Sequence, residues 1–279
     1  MQMRIKLPSF FRRRLLPALW AISVTVWPGV ARADTLSARA ADAPPPAPAQ
    51  AGTSGDTAVA KKTIGIVLYP GFETLDVFGP VEMWGELPGY RIAMVSQHGG
   101  RVKSVQGVET HATYSFADAP QFDILMVPGG EGARNEVNNA RLLEFIRRQD
   151  THTQWTVSVC TGAALLAKAG ILRGRNATSN KQVFEFAEAQ DPGVHWQKNA
   201  RWVVDGKYVT SSGISAGTDM ALGLVEKLYG RRMAEKIAEA AEYQWNDDPT
   251  RDPFARAATR PRGDASAQAP RALPPAPLP

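Results

Sequence analysis

The sequence predicts an α/β sandwich with a mainly parallel sheet. Short apolar, β-branched runs alternate along the chain with helical segments, which is the pattern of parallel strands joined by crossover helices. One of these runs, 155–159, leads directly into Cys160 and then into small residues and an apolar helix. That order is the sequence form of a nucleophile elbow, a sharp strand-to-helix turn that holds one side chain up at the carboxyl end of a sheet.

The two ends of the chain differ in composition from its middle. Residues 1–33 have a basic start, an apolar run and an Ala31-Arg32-Ala33 cleavage pattern. These three features predict a signal peptide and an exported protein, periplasmic or secreted. Residues 34–61 and 256–279 are poor in large apolar side chains, so we expect a disordered linker and a disordered Pro/Ala-rich tail. The folded domain is predicted at 62–255.

The first half of this domain opens with a continuous apolar run. Thr63–Tyr69 suits a parallel strand buried on both faces, and Pro70-Gly71 ends it. After a loop carrying Glu73 and Asp76, Gly79-Pro80 predicts a helix start, because proline is preset for the first helical turn. The elements expected next are a helix to about Glu86, a strand at Tyr90–Ser96, a hairpin over 101–114 turning at Gln106-Gly107, a strand at Phe122–Val127 and a helix with Leu142, Leu143, Phe145 and Ile146 on its apolar face.

The second half contains the elbow and another hairpin. The strand at Trp155–Val159 precedes Cys160, and a helix follows to about Lys168. Asp205-Gly206 is a strong turn signal for a hairpin over 201–211. The other predicted elements are a helix containing Phe184, Phe186 and Ala187, a helix from Gly217 to about Tyr229, and a helix from Met233 to about Trp245 with Met233, Ile237 and Ala241 along one face.

The charge of the chain bears on its partners. The formal net charge is +5, and residues 1–33 hold six basic and no acidic residues, so signal cleavage leaves −1. A chain of that charge gives no support to a nucleic-acid-binding surface. The apolar run of the signal is shorter than the roughly 20 residues that a membrane-spanning helix needs. We expect a small-molecule substrate, with no nucleic acid and no membrane bound after cleavage.

Cys160 is the only cysteine in the chain. A single thiol in an exported protein is either a buried packing residue or a reactive group, and the elbow favours the reactive one. The start of a helix lowers a thiol pKa because its free N–H groups and dipole favour the anion. We therefore expect Cys160 to be an activated nucleophile.

Two other loops at carboxyl ends of buried strands supply companions for the thiol. Gly129 and Gly130 offer backbone N–H groups for an oxyanion hole with the N–H of Thr161, or else form a plain tight turn. Asp76 suits general acid/base work, or else caps a helix. Glu73 is a second candidate acid, or else a solvated loop carboxylate. Thr161 is expected either to hydrogen-bond the substrate or to cap the helix.

Histidines, metals and cofactors are not predicted at the site. His98, His111, His152 and His195 all lie outside the three loops, although sequence distance leaves open that one of them completes the site in space. One cysteine and four scattered histidines make no metal-ligand spacing, and the chain has no phosphate-binding or dinucleotide-binding motif. We expect no metal and no cofactor.

Five motifs in order resemble the ThiJ/PfpI superfamily, the class-I-glutamine-amidotransferase-like proteins, and within it the isonitrile hydratases. They are LYPGFETLDVFGPVEMW, FDILMVPGGEG, VSVCTGAALLAKAGILRGRNAT, VTSSGISAGTDMALGLVEKLYG and AEYQWNDDPTRDPF. The resemblance implies a flavodoxin-like three-layer sandwich, a homodimer, and cofactor-free hydration of an isonitrile to an N-substituted formamide. It also implies Cys160 as nucleophile, Asp76 as acidic partner, Thr161 as neighbouring hydroxyl, and Gly213 and Ile214 as pocket lining.

Two residues depart from the family pattern. Thr161 stands where many superfamily members have histidine, which weakens a peptidase interpretation based on a Cys–His pair. Asn180 stands where isonitrile hydratases tend to have histidine, which indicates a different substrate shape. Two alternatives stay open: a glyoxalase-like, deglycase-like or amidase activity at the same cysteine, and a non-enzymatic domain that senses a ligand or the redox state.

Overall fold

The structure is a computed structural model that describes residues 61–258. The predicted signal peptide and all but the last residue of the predicted linker lie outside these residues, as does the tail from 259 onward. A short helix at Ala255–Ala258 crosses the predicted boundary between the domain and the tail. Within the described range no helix is long and apolar enough to cross a membrane.

A seven-stranded sheet forms the centre of the domain, in the order β10-β11-β7-β6-β1-β2-β5. All of its strand pairs are parallel except β10 with β11. The strands are β1 (Lys62–Leu68), β2 (Tyr90–Ser96), β5 (Tyr114–Ser115), β6 (Ile124–Val127), β7 (Trp155–Ser158), β10 (Trp202–Asp205) and β11 (Tyr208–Ser211). The predicted strands and the hairpin at Asp205-Gly206 are confirmed.

Two small sheets lie beside the central one. β3 (Gly100–Lys103) and β4 (Glu109–Ala112) form the predicted antiparallel hairpin, and Gly107 in its turn has φ +85°. β8 (Asn176–Ala177) and β9 (His195–Trp196) form a parallel pair that was not predicted. Strands of two residues are too short to carry an alternating pattern.

The helices are α1 (Thr74–Gly85), α2 (Ala133–Glu136), α3 (Ala140–Asp150), α4 (Gly162–Lys168), α5 (Phe184–Glu188), α6 (Ala216–Tyr229), α7 (Arg231–Ala240) and α8 (Ala255–Ala258). Seven of them form two groups of mutually packed helices: α1, α6 and α7 are one group, and α2 to α5 are the other. The result is the predicted flavodoxin-like α/β sandwich.

The predicted start of the first helix is wrong. The helix α1 begins at Thr74, so Pro80 is its seventh residue and Asp76 lies in its first turn instead of in a loop. Pro80 has no N–H to donate to the carbonyl of Asp76, and the helix tolerates this loss. Gly79 has a packing role: an ideal Cβ there would lie 2.3 Å from Oγ1 of Thr218, so glycine lets α1 approach α6 closely.

The predicted end of the last long helix is also wrong. The helix α7 stops at Ala240, and Glu242 has φ +49°, which is incompatible with a continuing right-handed helix. The side chain of Trp245 is instead bound to α6, since its Nε1 donates to the backbone oxygen of Asp219 (3.0 Å). Side-chain contacts with α6 therefore hold the chain after Ala241 in a non-helical path.

The core lies on both faces of the sheet. Every side chain of β6 is buried, and in β1 only Lys62 is exposed, which agrees with continuous apolar runs in parallel strands. The predicted apolar face of α3 is buried as well. Because β11, β7, β6 and β1 are neighbours, the loops after these four strands meet at one edge of the sheet.

Candidate active site

Cys160 occupies the elbow between β7 and α4. Its φ of +58° places a non-glycine residue in the left-handed region, which costs on the order of 1–2 kcal/mol. The neighbouring backbone holds it there: the N–H of Cys160 is shared between the carbonyls of Ser211 and Ser212 (both 3.2 Å), and Oγ of Ser179 donates to its carbonyl (2.9 Å). Backbone strain held in place by surrounding bonds is typical of functional residues.

The side chain of Cys160 is buried, and its sulfur contacts three neighbouring residues. Nδ2 of Asn180 donates to Sγ (3.0 Å), and the backbone N–H of Thr161 also hydrogen-bonds it. Gly213 lies so close that an ideal Cβ would be 3.1 Å from Sγ and 2.1 Å from Nδ2 of Asn180. A side chain at position 213 would therefore displace the amide from the thiol.

Asp76 faces the thiol from the first turn of α1. Its side chain is fully buried, and Oδ2 accepts the backbone N–H of Gly129 (2.8 Å). Among residues 61–258, Oδ1 has no hydrogen-bond partner. Asp76 and Cys160 each influence the pKa of the other. One carboxyl oxygen thus fixes the group and the other is available for proton transfer.

Thr161 is hydrogen-bonded to the glycine loop. The N–H of Gly130 donates to Oγ1 of Thr161 (3.0 Å), and the side chain makes no capping bond to α4. The predicted helix-capping alternative for Thr161 is therefore absent.

The predicted oxyanion hole has a different arrangement from the expected one. The N–H groups of Gly129 and Gly130 already donate to Asp76 and Thr161, so here they orient the acid and the hydroxyl. An ideal Cβ on Gly129 would lie 2.9 Å from Oδ2 of Asp76, which explains the need for glycine. Their use by a substrate oxyanion stays a prediction and requires those side chains to move.

The pKa of Cys160 differs in direction from the sequence expectation. Burial raises the pKa of the thiol well above its usual value, and the charge of Asp76 raises it further. The hydrogen bonds from Asn180 and Thr161 lower it but do not compensate. Desolvation of the anion therefore outweighs the stabilisation expected at a helix start, and the resting group is a thiol.

The pKa of Asp76 is raised as well. Burial is the main cause, and the nearby carboxylate of Glu73 adds to it, whereas the hydrogen bond from Gly129 and the neighbouring thiol of Cys160 lower the pKa. A buried carboxyl of this kind holds its proton at a higher pH than an ordinary aspartate. The site therefore places a buried thiol beside a buried carboxyl, and burial favours the protonated form of each.

A cavity of about 150 Å³ opens beside the thiol. Its wall includes apolar side chains and its rim carries charges; the lining residues are Glu73, Gly130, Glu131, Arg134, Cys160, Thr161, Asn180, Val183, Phe186 and Ile214. Ile214 lines this cavity, and Gly213 lies against the sulfur. The chain's four histidines all fall within the described range; each is exposed, and none lines this cavity.

Several residues around the thiol were missed in the sequence. Asn180 was noted only as a departure from the family pattern, yet its amide contacts the sulfur. Val183 and Phe186 belong to a segment whose only sequence signal was helical periodicity. Arg134, which lies 5.2 Å from the centre of the Phe186 ring, gave no signal at all. Among residues 61–258, no group of three or more His, Cys, Asp or Glu side chains could hold a metal ion.

The sheet and this site together define a class of protein: a flavodoxin-like α/β sandwich with an elbow cysteine and a facing buried acid. The sequence profile of the DJ-1/PfpI family matches residues 62–227, which is more than half of the chain. The protein belongs to the DJ-1/PfpI family.

Its relatives differ in function. The chain is 34% identical to isonitrile hydratase of Pseudomonas putida over 180 residues, 64% of this chain and 78% of the relative. It is 28% identical to the HTH-type transcriptional regulator GbdR of Pseudomonas aeruginosa over 189 residues, 66% of this chain and 51% of the regulator. A solved ThiJ/PfpI family protein from Pseudomonas syringae superposes with a TM-score of 0.61 at 28% identity, covering 72% of this chain and 84% of that one.

Proposed function

We propose that this protein is a cofactor-free, cysteine-dependent hydratase that adds water to an isonitrile and releases an N-substituted formamide. The observation that carries the proposal is the burial of Asp76 next to the thiol of Cys160, which opens onto a small cavity. The 34% identity to an isonitrile hydratase supports the same activity.

The pair matches the chemistry that an isonitrile requires. The terminal carbon of R–N≡C is attacked by sulfur and must also receive a proton. In the proposed step the sulfur of Cys160 bonds to that carbon, Asp76 delivers a proton to it, and the thiol proton returns to Asp76. The product is a thioimidate, R–N=CH–S–Cys, and no net charge develops in the buried site. The addition requires a neutral thiol and a protonated acid at its start, and it regenerates the acid.

Water completes the reaction. Water adds to the thioimidate carbon while the nitrogen gains a proton, which gives a tetrahedral intermediate with one hydroxyl. Breaking the C–S bond then releases R–NH–CHO and regenerates the thiol of Cys160. Asp76, which the first step leaves protonated, gives its proton to the nitrogen and takes one from the water, and the hydroxyl of Thr161 hydrogen-bonds the developing oxygen.

The cavity restricts the substrate. Its volume of about 150 Å³ is below the roughly 300–1,000 Å³ of pockets for drug-sized ligands. Val183, Phe186 and Ile214 offer apolar contacts to the group on the isonitrile nitrogen. Small alkyl or aryl isonitriles are therefore the proposed substrates.

The test is turnover of a small alkyl isonitrile by the purified chain, with the formamide measured by chromatography. Cys160→Ser should abolish formamide production. Asp191→Asn is a control, because Asp191 is a buried carboxylate whose partner Arg173 does not line the cavity. Full activity of Cys160→Ser would refute the proposal.

Other substrates distinguish the alternatives. Conversion of methylglyoxal to lactate, with no formamide from any isonitrile, would indicate a glyoxalase-like enzyme at the same cysteine. Sulfinic acid at Cys160 after mild peroxide, with no turnover of any substrate, would indicate a sensing domain. The similarity to a transcriptional regulator is the reason for testing this alternative.

We also propose that the protein is a homodimer. Exposed apolar side chains lie near the amino end of α1 and on the β3–β4 turn, namely Leu75, Phe78, Val105 and Val108. The two are bonded together, since Oγ1 of Thr74, the first residue of α1, donates to Oγ of Ser104 in the β3–β4 turn (2.8 Å). Apolar surface of this kind commonly marks a protein interface. Phe78→Asp should convert a dimer into a monomer in analytical ultracentrifugation, and a wild-type monomer would exclude the dimer.

A further inference from the structure

The motif AEYQWNDDPTRDPF has no part in the chemistry above, yet it is fixed to the domain by specific bonds. After α7 ends, Tyr243 donates its hydroxyl to Oδ1 of Asp219 (2.9 Å), and the N–H of Asn246 donates to the same atom (3.0 Å). Trp245 donates to the backbone oxygen of Asp219. Three residues of the motif therefore bind a single buried residue of α6, Asp219.

Asp219 and the motif enclose a buried arginine. Nε and Nη2 of Arg201 both donate to Oδ2 of Asp219, the former at 2.8 Å. Nη1 lies 3.7 Å from Oδ2 of Asp252, within the motif, and neither atom has another partner among the described residues. The three side chains are 5% exposed or less. Loss of one member leaves an uncompensated buried charge, so the cluster is sensitive to single substitutions.

The backbone of Arg201 leads to the thiol. Its N–H donates to the carbonyl of Pro249 in the motif, and its carbonyl accepts the N–H of Ser212 (both 2.8 Å). Ser212 in turn accepts the N–H of Cys160 and precedes Gly213, which packs against the sulfur. One wall of the thiol is thus held by Arg201, whose other contacts are with Asp219 of α6 and with Pro249 and Asp252 of the C-terminal motif.

The second wall is connected to the same cluster. Asn180, the amide donor to Sγ, is followed by Lys181, which is almost fully buried and donates to Oγ1 of Thr178 (2.6 Å). Thr178 is bonded to the carbonyl of Ala200, the residue before Arg201. The charges of Asp252 and Arg201 both act on Lys181, whose pKa is lowered to about 8, mainly by burial.

We propose that Arg201 and Asp252 are positioning residues, which set the contact of Asn180 and Gly213 with the sulfur of Cys160. No residue of the C-terminal motif lines the cavity beside the thiol, so the motif acts through this cluster. The inference rests on the proposed role of Cys160 as nucleophile. Its test measures the thiol directly, so it can fail or succeed whichever substrate the protein uses.

The experiment is the pH dependence of Cys160 alkylation by iodoacetamide in the full chain, which contains no other cysteine. Asp252→Asn should weaken the contact of Asn180 with Sγ, a contact that favours the thiolate. The alkylation midpoint should then rise by about half a pH unit, roughly a threefold lower rate at a fixed pH below the midpoint.

Asp191→Asn is the matched control. Both aspartates are buried, pair with an arginine and accept the N–H of the residue two positions later. The control should leave the midpoint unchanged. An equal shift in both variants would show that any lost buried carboxylate has this effect and would overturn the proposal.

A double-mutant cycle tests the route of the effect. If Asp252 acts through Asn180, Asp252→Asn should add little to the shift already caused by Asn180→Ala. Additive shifts would contradict the proposal. If Asp252→Asn does not fold, Tyr243→Phe is used instead, because it removes only the hydroxyl bound to Asp219. Its alkylation midpoint is then compared with that of Asp191→Asn.

Discussion

Cys160 and Asp76 are adjacent ionisable groups whose pKa values are both raised by burial. A thiol at the start of a helix is usually activated as a thiolate, but here the loss of water around the sulfur outweighs that effect. The pair is better suited to adding a thiol and its proton to one neutral carbon atom, as the proposed reaction requires, than to attack by a free thiolate. In the proposed reaction, Asp76 is the proton donor.

The first prediction concerns activity. Asp76→Asn should lower kcat for an isonitrile by about 10²–10⁴-fold, the usual contribution of a positioned acid. In the wild type, kcat/KM should fall as the pH rises through the raised pKa of Asp76, because the protonated carboxyl is the active form. Steady-state kinetics between pH 5 and 9 measure both. An activity that rises with pH over this range would assign Asp76 another role.

The second prediction concerns stability. The pKa of Asp76 is higher in the folded chain than the roughly 3.9 of an unfolded aspartate, so the folded state binds the extra proton. The stability contributed by this group is full below about pH 4 and is lost as the pH rises through the folded pKa. The asparagine of Asp76→Asn does not titrate. The free energy of unfolding of this variant, relative to that of the wild type, should therefore increase as the pH rises.

Urea denaturation of both proteins at several pH values from 4 to 8 measures this difference. Cys160 does not interfere, because its raised pKa exceeds the roughly 8.5 of a free thiol, so its own contribution changes only above that pH. Parallel curves for the two proteins would mean that the pKa of Asp76 is not raised.

At the scale of elements, α4 begins directly against the end of β6. An ideal Cβ on Gly162 would lie 2.1 Å from the carbonyl oxygen of Val127. The obstacle is backbone, so no change of rotamer relieves it. The close approach also keeps Thr161 beside Gly130. The elbow therefore depends on glycine at position 162.

The third prediction follows from this contact. Gly162→Ala should lower the free energy of unfolding by about 1–3 kcal/mol through overpacking. Gly85→Ala is the matched control, since a Cβ there meets nothing within 4 Å; it should raise stability by about 0.4–1 kcal/mol. Thermal or urea denaturation compares them. Equal stability of the two variants would show that the elbow can adjust to a methyl group.

Most elements could be predicted, because continuous apolar runs and turn dipeptides give local signals. The errors arose where tertiary contacts decide. Pro80 is a normal helix-start signal, yet α1 begins at Thr74, and α7 ends early although its periodicity continues to Ala241. The pair β8–β9 depends on a partner strand and on nothing within either segment.

The candidate site could also be predicted only in part. The elbow, Asp76 and the glycine loop lie at carboxyl ends of strands that pair in the sheet, so the fold brings them together. The partners of the Gly129 and Gly130 N–H groups, and the bond from Asn180, depend on side-chain directions across different loops. The direction of the Cys160 pKa shift depends on burial, which spacing in the sequence does not reveal.

At the scale of the whole molecule, export remains a prediction based on residues 1–33, which lie outside the described residues. The fourth prediction is that the protein expressed in a bacterium with its leader is cleaved after Ala33, so that its first residue is Asp34. Intact-mass measurement of the purified protein decides this. A mature chain that keeps residues 1–33 would contradict it.

The central claim is that Cys160 forms a covalent bond with the carbon of an isonitrile and that water then releases the product. Mass spectrometry of the protein, quenched soon after mixing with an alkyl isonitrile in ¹⁸O-labelled water, tests it most directly. We expect a transient adduct on Cys160 equal in mass to the whole isonitrile, and a formamide that carries one labelled oxygen. Formamide produced equally fast by Cys160→Ser, or an unmodified Cys160 with no formamide, would contradict the claim.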